Sequence, residues 1–317
     1  MIIRKLAAGA VCALAVGLAS PLPAFAQPSA QGQASASAGE GDLQAAIAKS
    51  NAYTQLMNRT LRAGDSWQRY ASWVDMKKGP TGKEMYISYG LYSLYDVTKE
   101  IQKAEQMAAA EPRLPDIDAT ILRYVKAYQE LAPLITRAER YYDRKDYRDD
   151  AMAEGQKLHA AMVPAAKSFF EERETLDALM RVYKRGLDQR ELAALEQREG
   201  RSLRWQVRNV MVAARAVIDL MPSNQRPIVD LKAFDAATAD YAKAVREMDG
   251  FKDKNPGASL MIDSHAGSWL GKLRDFSDKL GKSKGDVRRG AASDANRIVG
   301  DYNTMISLAD TAVRLSR

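Results

Sequence analysis

Apolar side chains in this chain recur at alternating steps of three and four, in one long stretch after another. Between Pro115 and Gly200 the pattern is clearest: Ile117, Ile121, Tyr124, Tyr128, Leu131, Ile135, Ala138 and Tyr142 follow it without a gap. That rhythm keeps them all on one side of an α-helix, because a helix returns to the same face every 3.6 residues. Phe169, Leu176, Leu179, Met180, Tyr183 and Leu187 continue a similar stripe. No stretch of comparable length alternates with period two, the mark of a half-buried strand. The chain therefore reads as all-α: an elongated antiparallel helical bundle of about eight helices, with no sheet.

Turn and breaker residues divide the pattern. A first helix runs from Asp42 to Ala63 on Leu43, Ile47, Tyr53, Leu56 and Leu61, and Gly64 stops it. The aromatics Trp67, Tyr70 and Trp73 follow, then Gly79-Pro80. Thr81 and Glu84 have capping-box spacing, which predicts a second helix to Ala110 carrying Ile87, Leu91, Leu94, Thr98 and Ile101. The third helix ends after Tyr142 and is expected to kink at Pro133, where a backbone bond is lost. The pattern then fails through a charged run, and Asp149 or Asp150 caps a fourth helix, Ala151 to Gly200, bent or interrupted at Pro164. Four further stripes begin at Leu203, Leu231, Ile262 and Val287 and make a four-helix bundle of residues 201–317, packed on a helical unit of residues 42–200.

The chain begins with a processing signal. Arg4 and Lys5 precede an apolar run, Leu6 to Ser20, and Ala24-Phe25-Ala26 is a small-x-small cleavage site before Gln27. The run is short of the ~20 residues a membrane-spanning helix needs. Residues 1–26 thus read as a cleaved signal peptide, and the protein as periplasmic, with secretion or a lipid anchor on Cys12 as alternatives. Residues 27–41 are Gln/Ser/Ala/Gly-rich and read as a disordered leader. Cleavage removes the one cysteine, so the mature chain has neither disulfide nor thiolate metal site. It also removes two of 47 basic residues against 40 acidic ones, leaving a net charge of +5. So mild and interleaved a charge favours anionic surfaces weakly and gives no support for nucleic-acid binding.

At the central turn the chain resembles a known family. Tyr141-Tyr142-x-x-Lys145-Asp146-Tyr147-x-Asp149-Asp150, then Gly155-x-x-Leu158-His159, and the closing Asp301-Tyr302-Asn303-x-Met305-Ile306, with Tyr53 near the start, are similar to the YiiG-like family of bacterial domains of unknown function (DUF3829). The resemblance covers roughly Lys49 to Ala312. It implies a helical fold and an envelope address, and it carries no catalytic residue set. This chain departs from lipid-anchored members in lacking a recognisable lipobox.

Candidate chemistry is sparse. Glu139, Asp143, Asp146 and Asp150 would align on a continuous helix as ligands for a hard cation, but Arg140, Arg144, Lys145 and Arg148 are interleaved to neutralise them, so no metal site is assigned. His159 and His265 lack the partner spacing of a zinc helix. Asp263-Ser264-His265 does not form a dyad by adjacency, because neighbours on a helix diverge by 100°. No catalytic residue and no cofactor is assigned.

Two surfaces remain as candidates. The first is a ligand site built from Trp67, Tyr70, Trp73, Tyr89, Tyr92, Tyr141, Tyr142 and His159. Within it, Tyr86, Tyr89, Tyr92 and Tyr95 step by three, so on a helix Tyr89 and Tyr92 form a second apolar face, expected to be buried between neighbours. The second is an anionic-surface contact at Lys279, Lys282, Lys284, Arg288 and Arg289. The preferred reading is a non-enzymatic exported protein that binds or scaffolds at the bacterial envelope, its partner an envelope protein, an anionic membrane surface or a glycan. The alternative is a periplasmic small-ligand or glycan receptor, or an enzyme, with a Tyr/Trp/His-lined site.

Overall fold

In the computed structural model, the structure describes residues 30–222, 227–256 and 261–315. The expected signal peptide, with its expected cleavage site, lies outside the described residues. The described chain is helical: α1 (Ala30–Arg59), α2 (Leu61–Ala71), α3 (Thr98–Ala109), α4 (Pro115–Arg144), α5 (Ala153–Glu199), α6 (Leu203–Ile218), α7 (Leu231–Lys254), α8 (Met261–Lys282) and α9 (Ala292–Leu315). Among the described residues there is no strand, only an isolated antiparallel bridge between Ile228 and Asp286.

The chain divides into two compact units, residues 31–184 and 185–317, with α5 contributing to both. The division falls inside α5 rather than at Gly200, where the helix ends on a positive φ of 63°. Residues past Lys184 on α5 engage α6: Arg208 reaches Asp188 at 2.8 Å and also pairs with Glu191.

The 185–317 unit is built from the stripes its sequence shows. Consecutive helices α6 to α9 pack as neighbours, and α9 returns to α6 to close the ring. Its core holds Val210, Phe234, Tyr241, Trp269, Phe276 and Met305, all buried. Polar tips inside it find backbone acceptors: Trp269 Nε1 donates to Ile298 O at 2.9 Å and Tyr241 Oη to Ala266 O at 3.0 Å.

The 31–184 unit packs α1, α2, α3, α4 and the first part of α5 around Tyr53, Leu56, Tyr70, Ile121, Tyr124, Leu131 and Phe169. Both prolines sit inside continuous helices, Pro133 in α4 and Pro164 in α5. Each deprives a carbonyl four residues earlier of its partner. Those carbonyls belong to Gln129 and Ala160, which are exposed, so water can satisfy them.

Four expectations are corrected here. Residues 30–41 are helical, the start of α1, rather than a disordered leader; alanine recurs through this stretch and is the strongest helix former. The first helix does not stop at Gly64, which lies inside α2. The break comes at Thr60, whose hydroxyl bonds the carbonyls of Leu56 (2.7 Å) and Met57 (3.1 Å) and so competes with the helix ladder. The second helix does not form over residues 81–97; a 3₁₀ turn at Ile87–Tyr89 and an irregular strap lead into α3. Glu84 does accept from the backbone and hydroxyl of Thr81, but Gly82 (φ 80°) and Gly90 (φ 53°) hold the chain in a loop. Finally, because this segment is not helical, Tyr89 and Tyr92 do not form a buried second face: Tyr89 is 48 % exposed and Tyr92 is half-buried.

Candidate functional site

A stripe on α2 explains the strap. Arg62, Ser66 and Arg69 step by four and three, and Trp73 follows by four just past the helix end. Every one of them bonds the strap's backbone. Arg69 Nε donates to Tyr89 O at 2.5 Å, Trp73 Nε1 to Gly90 O at 3.0 Å, and Arg62 Nε to Ser93 O at 3.1 Å. Ser66 serves Tyr92 twice, accepting from its N–H at 3.0 Å and donating to its carbonyl at 3.1 Å. These side chains thereby satisfy strap backbone groups that have no helix or sheet partner, as a segment packed against protein requires.

Gripping the backbone turns the strap's rings outward onto the same arginines. The Arg62 guanidinium lies 4.1 Å from the Tyr92 ring centre, Arg69 lies 4.3 Å from Tyr92 and 5.6 Å from Tyr89, and Arg59 lies 4.7 Å from Tyr95. Tyr86 stacks on Tyr89 at 5.1 Å. Such cation–ring contacts contribute about 0.5–1 kcal/mol each at exposed sites. Arg59 is near Glu100, at 3.6 Å, but Arg62 and Arg69 have no carboxylate partner among the described residues. The result is a surface ladder of alternating guanidinium and phenol groups.

The other expected ligand residues lie beneath the strap and fill one another's space. Tyr70 is edge-on to Trp73 at 5.2 Å, Trp73 edge-on to Tyr142 at 5.0 Å, and Tyr142 edge-on to Tyr141 at 5.0 Å; Trp67 closes on Tyr70 at 5.8 Å. Tyr70 Oη is 3.0 Å from His159 Nδ1, and the imidazole also lies near the Met76 backbone. Burial holds the His159 pKa below its ordinary value, with the Met76 bond and Asp75 opposing more weakly. Burial also raises the hydroxyl pKa values of Tyr70 and Tyr142; Tyr141 is raised by burial and by its bond to Asp150. None of these phenols is poised to ionise near neutrality.

The charged turn between α4 and α5 shapes this core. α4 ends at Lys145 in the left-handed region, so the four carboxylates do not align. Asp150 instead caps α5, accepting from Met152 N at 3.0 Å and Glu154 N at 2.8 Å, and takes the Tyr141 hydroxyl at 2.8 Å. Gly155 is required by packing: a Cβ there would meet Met152 Sδ, and Tyr142 Oη at 3.0 Å.

A second buried arrangement was not foreseen. Lys49, fully buried on α1, donates to Asp118 at 3.0 and 3.1 Å, to Ala110 O at 2.9 Å and to Pro112 O at 2.7 Å. Asp118 also accepts from Tyr53 Oη at 2.6 Å and Leu114 N at 2.8 Å. The ammonium and the carboxylate have all the partners a buried ion pair needs. Its signal was in the sequence: Lys49 steps by three and four with Ala46, Tyr53 and Leu56, a lysine inside an apolar stripe.

In the 185–317 unit, the basic turn is largely neutralised by its own acids. Lys279 pairs with Asp294 at 2.8 Å, Arg288 with Asp286 at 2.8 Å, and Arg289 approaches Asp286 at 3.8 Å. The Arg288 guanidinium holds the Asp286 carboxyl down at about 2. Lys282 and Lys284 are exposed without a carboxylate partner among the described residues.

The family model described as Protein of unknown function (DUF3829) matches residues 44–307. The "Uncharacterized protein YiiG" of Escherichia coli (strain K12) is 30% identical over 187 residues, which is 58% of this chain and 50% of that protein. The match thus spans about half the length of that curated relative. No solved structure matches.

Proposed function

The chain belongs to the DUF3829 family, and from that premise we propose that it is an exported bacterial protein that works at the cell envelope by binding rather than by catalysis, through the guanidinium–phenol ladder of the 31–184 unit. The observation that carries this reading is the ladder itself: Arg62 and Arg69 are held at the surface against Tyr89 and Tyr92, with no carboxylate to neutralise them among the described residues. Fixed guanidinium edges beside aromatic rings suit a partner that carries both anionic and apolar groups. The leader before Gln27 supports export. Tyr70 and His159 bond each other, Tyr141 bonds Asp150 and the Tyr142 ring packs edge-on to its neighbours, which favours a structural role for this cluster.

Expression of the full chain in a Gram-negative host tests both halves. Mature protein beginning at Gln27, released with the periplasmic fraction, is the expected result; a retained leader or a lipid on Cys12 would overturn the soluble-export part. Purified mature protein added back to isolated envelopes should bind them, and the paired change Arg62→Gln/Arg69→Gln should remove most of that binding. Equal binding of wild type and variant would overturn the ladder.

A further inference from the structure

Beside the ladder, the loop from α2 to the strap carries the features of a bilayer-surface contact. Lys77, Lys78 and Lys83 are exposed and make no salt bridge among the described residues, although the Lys78 charge helps hold the Asp75 carboxyl below its ordinary range. The loop's own acids are engaged by its backbone. Asp75 Oδ1 accepts from Lys77 N at 2.9 Å and Lys78 N at 3.2 Å, and Glu84 Oε2 accepts from Gly82 N at 2.8 Å. Burial opposes ionisation of Glu84, but the Thr81 and Gly82 bonds outweigh it and hold its carboxyl below the usual range. Next to Lys83, Met85 is 83 % exposed, the most exposed large apolar side chain among the described residues, and Tyr86 is 49 % exposed. The loop is anchored rather than free: Gly79 N bonds Asp75 O at 2.8 Å, and Gln156 Nε2 donates to Pro80 O.

We propose that Lys77, Lys78, Lys83, Met85, Tyr86 and Tyr89 form a docking loop for an anionic lipid bilayer surface. This deepens the envelope reading above and rests on it for its biological setting. The lysines match the negative headgroup potential, each basic residue near such a surface contributing roughly a factor of five in affinity. Met85 supplies a flexible thioether chain for the acyl boundary, and the tyrosines suit headgroup depth, where one end is apolar and the other wet. A glycan fits less well. Sugar rings stack on open aromatic faces, whereas Tyr86 and Tyr89 cover each other and Arg69 lies over Tyr89. Among the described residues no helix is long and apolar enough to cross a membrane, so the contact proposed is peripheral.

The test uses the chain from Gln27 onward, which keeps every described residue and has no cysteine. Sedimentation with phosphatidylglycerol/phosphatidylethanolamine vesicles should carry the protein down at low salt. Phosphatidylcholine vesicles should not, and high salt should release it. The triple change Lys77→Gln/Lys78→Gln/Lys83→Gln should weaken binding on the order of a hundredfold, and Met85→Ser/Tyr86→Ser should lower it at least about tenfold. Both variants should keep the wild-type melting curve, because the replaced side chains are exposed. As a second readout, Met85→Cys carrying an environment-sensitive dye should brighten and shift to the blue on anionic vesicles, while the same dye at Lys284→Cys should not. Failure of the wild type to bind, wild-type binding by either variant, or a dye response at position 284 alone would overturn the proposal. So would binding to a purified envelope glycan in place of vesicles. Vesicle binding is read in vitro, so its loss is distinguishable from a cytoplasmic location in the fractionation assay.

Discussion

The two units of this chain solve one problem in different ways. The 185–317 unit is held by apolar stripes, and its buried polar tips, such as Trp269 Nε1 on Ile298 O, make bonds additional to a helix ladder that is complete without them. In the 31–184 unit polar side chains stand in for missing secondary structure. Lys49 and Asp118 tie down the connection before α4, and Arg62, Ser66, Arg69 and Trp73 hold the strap. Periodic packing alone suffices where helices are regular neighbours. Where an irregular segment must be held against a helix, named donors and acceptors have to replace the ladder.

The sharpest way to break the comparison is Lys49→Met. It strands the Asp118 carboxylate in the core, and losing one partner of a buried pair costs about 3–5 kcal/mol. Hydrogen exchange read by mass spectrometry should show α1, α3 and α4 losing protection; unchanged protection there would mean the pair is not central to that unit. Gly155→Ala should cost about 1–3 kcal/mol, because the new methyl must push into Met152 and Tyr142. Denaturant melts check this, and a wild-type midpoint would show that the aromatic core yields easily.

Trp269→Phe in the other unit should cost only about 1 kcal/mol beyond the lost volume, since Ile298 O keeps its helix partner. A loss as large as that of Lys49→Met would erase the distinction between the units. The pH response should also differ. The folded His159 resists protonation more than the unfolded chain does, so its contribution is fully present above about pH 6.5 and is lost as pH falls through the lower folded value. Melting temperature should therefore fall more steeply from pH 7 to pH 5 in wild type than in His159→Gln; parallel slopes would remove His159 from the linkage. The smallest effect is expected for Tyr89→Ala, within about 1 kcal/mol, because its ring is half in solvent and it loses little beyond cation–ring contact. A loss of about 3 kcal/mol would show that the ring is packed after all.

The same contrast decides what could be read in advance. Stripes beginning at Leu203, Leu231 and Ile262 became α6, α7 and α8, because nothing in that unit competes with period and burial. The charged turn after Tyr142 and the Asp150 cap were legible for the same local reason. Over residues 81–97 the apolar spacing Ile87, Leu91, Leu94 imitated a helix, while the decisive information lay on another element. The stripe of Arg62, Ser66, Arg69 and Trp73 on α2 sits some twenty to thirty residues upstream of the groups it bonds, and its meaning appears only once the two segments are side by side. Tyr70, Trp73, Tyr142 and His159 pack together, whereas Tyr89 and Tyr92 face away with the arginines.

The grip of α2 on the strap has an evolutionary consequence. Carbonyls are common to every residue type and amide N–H groups to all but proline, so the clamp reads little side-chain identity at positions 89, 92 and 93, while position 90 is held to glycine by its positive φ. Exposed positions such as Met85, Tyr86, Ser88 and Tyr95 can therefore drift with little penalty to the fold. Selection can rewrite what the strap presents while α2 stays fixed, much as a variable loop changes on a constant framework. Relatives sharing this helix would then be expected to differ most in the residues they turn outward, and each could recognise a different surface without refolding.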